Sequence, residues 1–427
     1  MFDRSAAQPR EHRTGPQHRW VVASSAAVGL WSAPVPEARS REQQPSPLET
    51  AVALAPRIRA AAAETERQRR LSPGLVHALA AGGVFRMCVP RALGGGEVDP
   101  ATMIETIETI AAADGAAGWS AMIGATSGVA SAYLAEEAAR EIYGSDPAVV
   151  SGGAFAPLGK ATVVDGGYRV SGRWPFASGC EHCAWLMGGS VVLDGGQPRL
   201  LPSGMPDNRL MLFPAAAVRI IDTWDVAGLR GTGSHDIAVD DCFVPAARSL
   251  SLISDQPRAR GPLYAFPVFA LLALGIAAVA LGIARRALDE LLALAGAKTP
   301  TGSRRLLAER PVIQAEVARA EATLGAARAF LAETVGGAWE RAQAAGAIEI
   351  RERARLRLAA THATLASACA VDLAYGAGGG TAVYAASPLQ RCFRDIHVAT
   401  QHVMVAPATL ELAGRILLGL EADTAML

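Results

Sequence analysis

The chain has 427 residues, with 40 Lys plus Arg against 40 Asp plus Glu, so its formal net charge is zero. That balance argues against a basic surface built for nucleic acid or for an anionic membrane. Apolar residues make up 51%, enough for a large core shared by two or three packed units and for apolar subunit interfaces.

Residues 1–47 carry Pro, Gln, Arg and Ser without periodicity and read as a disordered extension. The apolar run over residues 20–31 superficially resembles a secretion signal. Its lead-in is long and holds Asp3 and Glu11, so a cytoplasmic protein is expected. Residues 48–145 read as a helical domain. Ser72 and Pro73 supply the cap and first position of a short helix that Gly82-Gly83 closes, Ile104, Ile107 and Ile110 mark a second helix, and a third follows from Trp119.

Residues 146–250 change character: short β-branched runs alternate with Gly, Pro and Asp turns, predicting an antiparallel β domain. Asp165-Gly166-Gly167 between Val163-Val164 and Tyr168-Arg169-Val170 is a hairpin signal. Residues 251–427 are helical again. The stretch 266–284 is long enough to cross a bilayer, but it is Ala- and Gly-rich and runs unbroken into Arg285-Arg286, which predicts a helix buried at the centre of a bundle. Ile313, Val317, Ala320, Leu324, Ala327 and Leu331 set one stripe towards a core, and helices over about 348–374 and 403–418 complete a four-helix bundle.

The segment with the most chemistry follows the hairpin: Trp174-Pro175-Phe176-Ala177-Ser178-Gly179. A flat aromatic and a hydroxyl four residues apart, beside a glycine that admits a close neighbour, suit a planar heterocycle; the same residues also suit a β-sheet core. Of the six cysteines only Cys180 and Cys183 form a CxxC pair. No second pair exists to complete a zinc site, and the segment is strand-rich, so buried thiols and no metal are expected.

Five segments occur in a telling order: Val89-Pro90-Arg91-Ala92-Leu93-Gly94-Gly95, then Gly167-Tyr168-Arg169-Val170-Ser171-Gly172, then Gly228-Leu229-Arg230-Gly231-Thr232-Gly233-Ser234, then Gly378-Gly379-Gly380, then Arg391-Cys392-Phe393-Arg394-Asp395. On these the chain resembles the acyl-CoA dehydrogenase superfamily from about residue 50 onwards. The resemblance implies an α+β fold with an N-terminal α-helical domain, a central antiparallel β domain and a C-terminal four-helix bundle, assembled as a homotetramer. Family dehydrogenases use a Glu to remove a substrate α-proton. The position of that Glu is Val403 here, and the alternative position, on the first bundle helix, holds no acidic residue. His397, Gln401 and His402 stand nearby instead.

That replacement, with the Trp174–Gly179 run, resembles the two-component flavin-dependent monooxygenases, the oxygenase components of p-hydroxyphenylacetate and phenolic-steroid hydroxylases. Such proteins take reduced flavin, FMNH2 or FADH2, from a separate flavin reductase, form a C4a-hydroperoxyflavin and oxygenate an aromatic or polycyclic small molecule. By the resemblance, Ser178 bonds flavin N5 or the peroxide, Trp174 lies against the isoalloxazine with Phe176 beside it, and Ser151 marks the strand at the pyrimidine edge. His402 orients the peroxide or acts as acid and base, with His397 as a second candidate on the substrate side. Arg304, Arg305 and Gly378, Gly379 and Gly380 occupy places that approach the flavin phosphates; they equally fit a surface Arg pair and a helix cap. Related phenol hydroxylases carry a His after the Gly-Trp pair. Gly118-Trp119 is followed by no His, so Trp119, Thr126 and Ser127 line a substrate pocket unlike that for a simple phenol. An acyl-CoA dehydrogenase with a displaced base, and a non-catalytic scaffold, are the alternatives.

Overall fold

The computed structural model describes residues 45–345 and 347–427. The apolar run at 20–31 and nearly all of the N-terminal extension lie outside the described residues. Helix α1 (Pro47–Gln68) opens on a capping box in which the Glu49 N–H donates to Ser46 Oγ at 3.2 Å and the Ser46 N–H to Glu49 Oε2 at 2.7 Å. α2 (Pro73–Ala81) has Ser72 as its cap, as its sequence indicates. Asp99 caps α3 (Pro100–Ala113), and Asp114 ends α3 while capping α4 (Gly115–Ser127) through the Ala117 N–H at 3.0 Å. A short α5 (Glu136–Ala139) leads to the sheet.

The strands are β1 (Ser151–Val164), β2 (Gly167–Trp174), β3 (Trp185–Asp194), β4 (Gln197–Pro198), β5 (Asn208–Pro214), β6 (Arg219–Ile221), β7 (Asp236–Pro245) and β8 (Ser249–Leu250). Their order is β6-β7-β2-β1-β3-β5-β8, with β4 on β3. The β1–β2 hairpin forms as its Asp-Gly turn indicates. The sheet is not wholly antiparallel, which corrects the sequence expectation: β1 and β3 pair in parallel, from Ser151 opposite Trp185. The reason is topological. After β2 the chain crosses the end of β1 through residues 175–184 and enters β3 on the other side, running the same way as β1.

Two short helices and four longer ones follow: α6 (Pro262–Ala265), α7 (Val268–Ala297), α8 (Pro311–Ala345), α9 (Ile350–Gly378), α10 (Pro388–Ala399) and α11 (Ala408–Leu417). The continuous fourth helix expected near 403–418 is instead a 3-10 turn at Val403–Val405 and the short α11, and α10 takes a place in the bundle. Pro407 between them cannot donate to a preceding turn. In α7 the most apolar stretch is 89% buried. Gly282 lets α7 meet α3 closely, since a Cβ there would lie 2.5 Å from the Ala111 methyl.

Trp174 fills the middle of the sheet. It is fully buried, its indole N–H donates to the Gly189 carbonyl at 2.6 Å, and Gly159, Gly172 and Gly188 on three strands form its bed. A Cβ at Gly188 would stand 2.6 Å from the ring. Gly188→Ala is therefore expected to cost about 1–3 kcal/mol by overpacking, whereas Gly336→Ala, in the interior of α8 with open space around it, raises stability by up to about 1 kcal/mol. Urea midpoints moving the same way in both variants would contradict this packing.

Two buried carboxylates tie the domains together. Asp395 on α10 accepts the Leu229 N–H at 2.6 Å, and Asp114 lies beside it. Burial pushes both carboxyls up, and the Asp114 charge pushes Asp395 further. The folded chain therefore holds protons that the unfolded chain has released, so their contribution is present below about pH 4 and is lost as pH rises towards neutrality. Asp395→Asn keeps the acceptor for Leu229 and cannot ionise; its melting temperature is expected to fall less than wild type between pH 5 and 8. Parallel curves for the two proteins would refute the assignment.

Candidate active site

The crossover that makes β3 parallel also builds the site. Its backbone is tied to the segment before β7: Ala177 N–H donates to His235 O at 3.0 Å and Gly179 N–H to Thr232 O at 2.8 Å. Phe176 (φ 62°) and Gly179 (φ 69°) turn through the left-handed region on either side of Ser178. Gly152 of β1 allows the loop to pack down, because a Cβ there would meet Cys183 Sγ at 2.8 Å.

This geometry buries the Ser178 hydroxyl in a chain of hydrogen bonds. Trp119 on α4 donates from Nε1 to Ser178 Oγ at 3.1 Å; Ser178 and Ser234 hydroxyls are 2.7 Å apart, as are those of Ser234 and Thr232; Thr232 donates to the Leu229 carbonyl at 2.8 Å. Ser178, Ser234 and Thr232 are all buried. Ser234 and Thr232 went unassigned in the sequence; the signal was the glycine-flanked pair of hydroxyls in Thr232-Gly233-Ser234, legible there only as a family signature.

His402 reaches the same place from the other side. Its ring lies 5.7 Å from that of Trp119, tilted by 60°. It caps the 3-10 turn with Nδ1, which accepts the Met404 N–H at 3.2 Å. Burial, aided by the positive charge of Arg357, pulls its pKa down to about 4. Arg357 is held behind it by the carbonyls of Met404, at 2.9 Å, and Met426. At neutral pH the imidazole is therefore uncharged with its proton on Nε2, and no acceptor for that proton is found among the described residues. Val403, at the dehydrogenase base position, is 72% exposed.

Several expected residues stand elsewhere. Trp174 offers no face to a cofactor, being enclosed in the sheet; the indole beside Ser178 is Trp119. Phe176 is 67% exposed, edge-on to Trp224. Ser151 is buried and accepts the Tyr143 hydroxyl at 3.0 Å. Thr126 spends its hydroxyl on the Met122 carbonyl at 2.8 Å, with Ser127 buried next to it. His397 does not join the cluster: its Nε2 meets Asp372 at 2.9 Å on a half-exposed face, with its ring against Phe393, because it lies on α10 whereas His402 follows the helix end. Arg304 and Arg305 lie exposed in the α7–α8 connection, and Gly378 to Gly380 close α9, where a Cβ at Gly379 or Gly380 would touch nothing. The two segments share one end of the bundle, since Lys298 donates to the Gly378 carbonyl at 3.0 Å. Cys180 and Cys183 donate to the carbonyls of Gly233 and Gly179, and burial pushes both thiols up.

Beside the Trp119 indole the chain thus places a hydroxyl with a free lone pair and an imidazole with a free N–H. That donor set fits a heteroaromatic ring such as flavin, and its one basic nitrogen, His402 Nδ1, is already occupied by the Met404 N–H, so no free base among the described residues stands there.

Comparisons with known proteins identify the family. The acyl-CoA dehydrogenase N-terminal domain matches residues 41–143 and the acyl-CoA dehydrogenase C-terminal domain residues 274–407. Indole-3-acetate monooxygenase of Pseudomonas putida is 38% identical over 353 residues, 83% of this chain and 88% of that protein. The oxygenase subunit HsaA of a flavin-dependent monooxygenase from Rhodococcus jostii (strain RHA1) is 31% identical over 347 residues, 79% of this chain and 89% of that one. Among solved structures, 3-HSA hydroxylase from Rhodococcus sp. RHA1 superposes with a TM-score of 0.82 at 30% identity, over 90% of this chain and 99% of that one. XiaF from Streptomyces sp., in complex with FADH2 and glycerol, gives 0.80 at 26% identity, over 88% and 96%. The chain belongs to the acyl-CoA dehydrogenase superfamily, in its branch of flavin-dependent monooxygenase oxygenase components.

Proposed function

We propose that this chain oxygenates a fused aromatic small molecule of the indole class, using dioxygen and FADH2 delivered by a separate reductase. The observation that carries the reading is the pairing of a neutral His402 donor with the Ser178 acceptor across Trp119, where a dehydrogenase would need a carboxylate. The bound reduced flavin supplies the electrons that activate oxygen. The chain's own groups do the rest. With flavin bound, Ser178 would hold the ring at N5, His402 would keep a proton on Nε2 beside the site of oxygen activation, and the Trp119 side would keep water out. The name of the Pseudomonas putida relative supports an indole-type substrate, and the missing His after Trp119 argues against a simple phenol. The designation of the Rhodococcus relative as an oxygenase subunit supports a separate reductase, and the FADH2 bound in XiaF supports FAD over FMN.

Arg304 and Arg305 with Gly379 and Gly380 suit the phosphates of FAD held by a neighbouring copy in a homotetramer; guanidinium forks and open backbone match phosphate oxygens. The exposed Phe176, Val383, Tyr384 and Val403 support burial against such copies.

With a reductase, NADH and indole-3-acetate, oxygen uptake and oxygenated product are expected to run in step. His402→Ala lowers product per oxygen consumed by at least about tenfold, in favour of hydrogen peroxide. Because burial holds His402 near a pKa of about 4, the wild-type yield stays flat from pH 8 down to 5.5, with no acid limb at the ordinary imidazole value, about 6.5. Unchanged coupling in His402→Ala, or a limb at that ordinary value that this variant abolishes, would overturn the role.

A further inference from the structure

We infer that Thr232 and Ser234 are positioning residues that make this site discriminate reduced from oxidised flavin, by fixing the direction of the Ser178 hydroxyl. The inference rests on the proposed placement of Ser178 against flavin N5.

The direction follows from the contact of Thr232 with the Leu229 carbonyl. The Trp119 indole N–H can only donate, and the Leu229 carbonyl can only accept. Thr232 gives its one hydroxyl proton to that carbonyl at 2.8 Å. Ser234, 2.7 Å away, must therefore donate to Thr232. Ser178, 2.7 Å from Ser234, must in turn donate to Ser234, while accepting from Trp119 at 3.1 Å. Three hydroxyls in series are thus poled one way as long as Thr232 spends its proton on the Leu229 carbonyl, its one partner in the series that can only accept. The Leu229 carbonyl also accepts the Thr232 N–H at 3.1 Å and the Trp224 indole N–H at 3.2 Å, and the Thr232 hydroxyl at 2.8 Å makes the shortest of the three contacts. All three side chains are at most 4% exposed, so water offers no alternative partner.

Ser178 consequently has no proton left to give. It presents one lone pair to whatever lies beside it. Reduced flavin carries a hydrogen on N5 and meets that lone pair as a donor. Oxidised flavin carries a bare lone pair on N5 and meets it as a repulsive contact. The selectivity comes from the polarity of the chain and not from the shape of the pocket.

The test is anaerobic titration of the full-length protein with FAD and with dithionite-reduced FAD, read as the ratio of the two Kd values. Wild type is expected to favour reduced FAD. Ser234→Ala frees the Ser178 proton to turn towards N5, so FAD tightens and the ratio shrinks by about tenfold, the scale of one neutral hydrogen bond. Thr232→Val, nearly equal in volume, turns the Ser234 proton back onto Ser178 and shrinks the ratio likewise, while Thr232→Ser restores it. An unfolded fraction lowers the stoichiometry of both titrations and leaves the ratio untouched. If Ser178→Ala changes the ratio but Ser234→Ala and Thr232→Val leave it at the wild-type value, the inference is overturned and the placement of Ser178 stands. If Ser178→Ala changes neither Kd, both the placement and the inference are overturned.

Discussion

The 2.7 Å contact between the Ser178 and Ser234 hydroxyls joins two loops that are 56 residues apart in sequence, and the site exists only while they stay joined. One loop is the crossover from β2 to β3; the other is the turn before β7. Backbone bonds from Ala177 and Gly179 to His235 and Thr232 hold them in register. The left-handed residues Phe176 and Gly179 keep the serine pointing inward between them. The parallel pairing of β1 and β3 is the deeper cause, because it forces the chain across the end of β1 and delivers Ser178 to the face where α4 places Trp119.

The electrostatics of the cluster match what oxygen chemistry needs. An imidazole that stays neutral offers a proton without offering a charge, and burial beside Arg357 keeps it so. A family dehydrogenase has a carboxylate at the same point of the chain, where Val403 stands exposed to solvent. Hydroxyl and indole can bind and orient but not act as bases, and the basic nitrogen of the imidazole, His402 Nδ1, is already taken by the Met404 N–H, so no free base among the described residues faces the cluster. Of the buried carboxylates, Asp114 and Asp395 face each other between helices and a turn of the β domain and Asp207 pairs with Arg199 in the sheet, and their work is structural.

Local features were legible and non-local ones were not. The Asp165-Gly166 turn, the Ser72 cap and the buried character of α7 depend on neighbours in sequence, and a period or a dipeptide reveals them. Trp174 was misassigned because its bed of Gly159, Gly172 and Gly188 is assembled from three strands, and no single segment shows it. The parallel pair was missed for the same reason. His397 and His402 are five positions apart, and where α10 ends decides which of them turns inward; sequence places helix ends loosely. Ser234 and Thr232 sat inside a recognised motif, yet their chemistry appears only when the crossover loop is laid against them.

The most direct measurement is a crystal structure of the protein soaked anaerobically with reduced FAD. The account predicts the isoalloxazine N5 within hydrogen-bonding distance of Ser178 Oγ, with His402 Nε2 facing the same region of the ring and no carboxylate against it. A ring bound away from Ser178 and His402, or an Asp or Glu side chain touching its reactive face, would contradict the account.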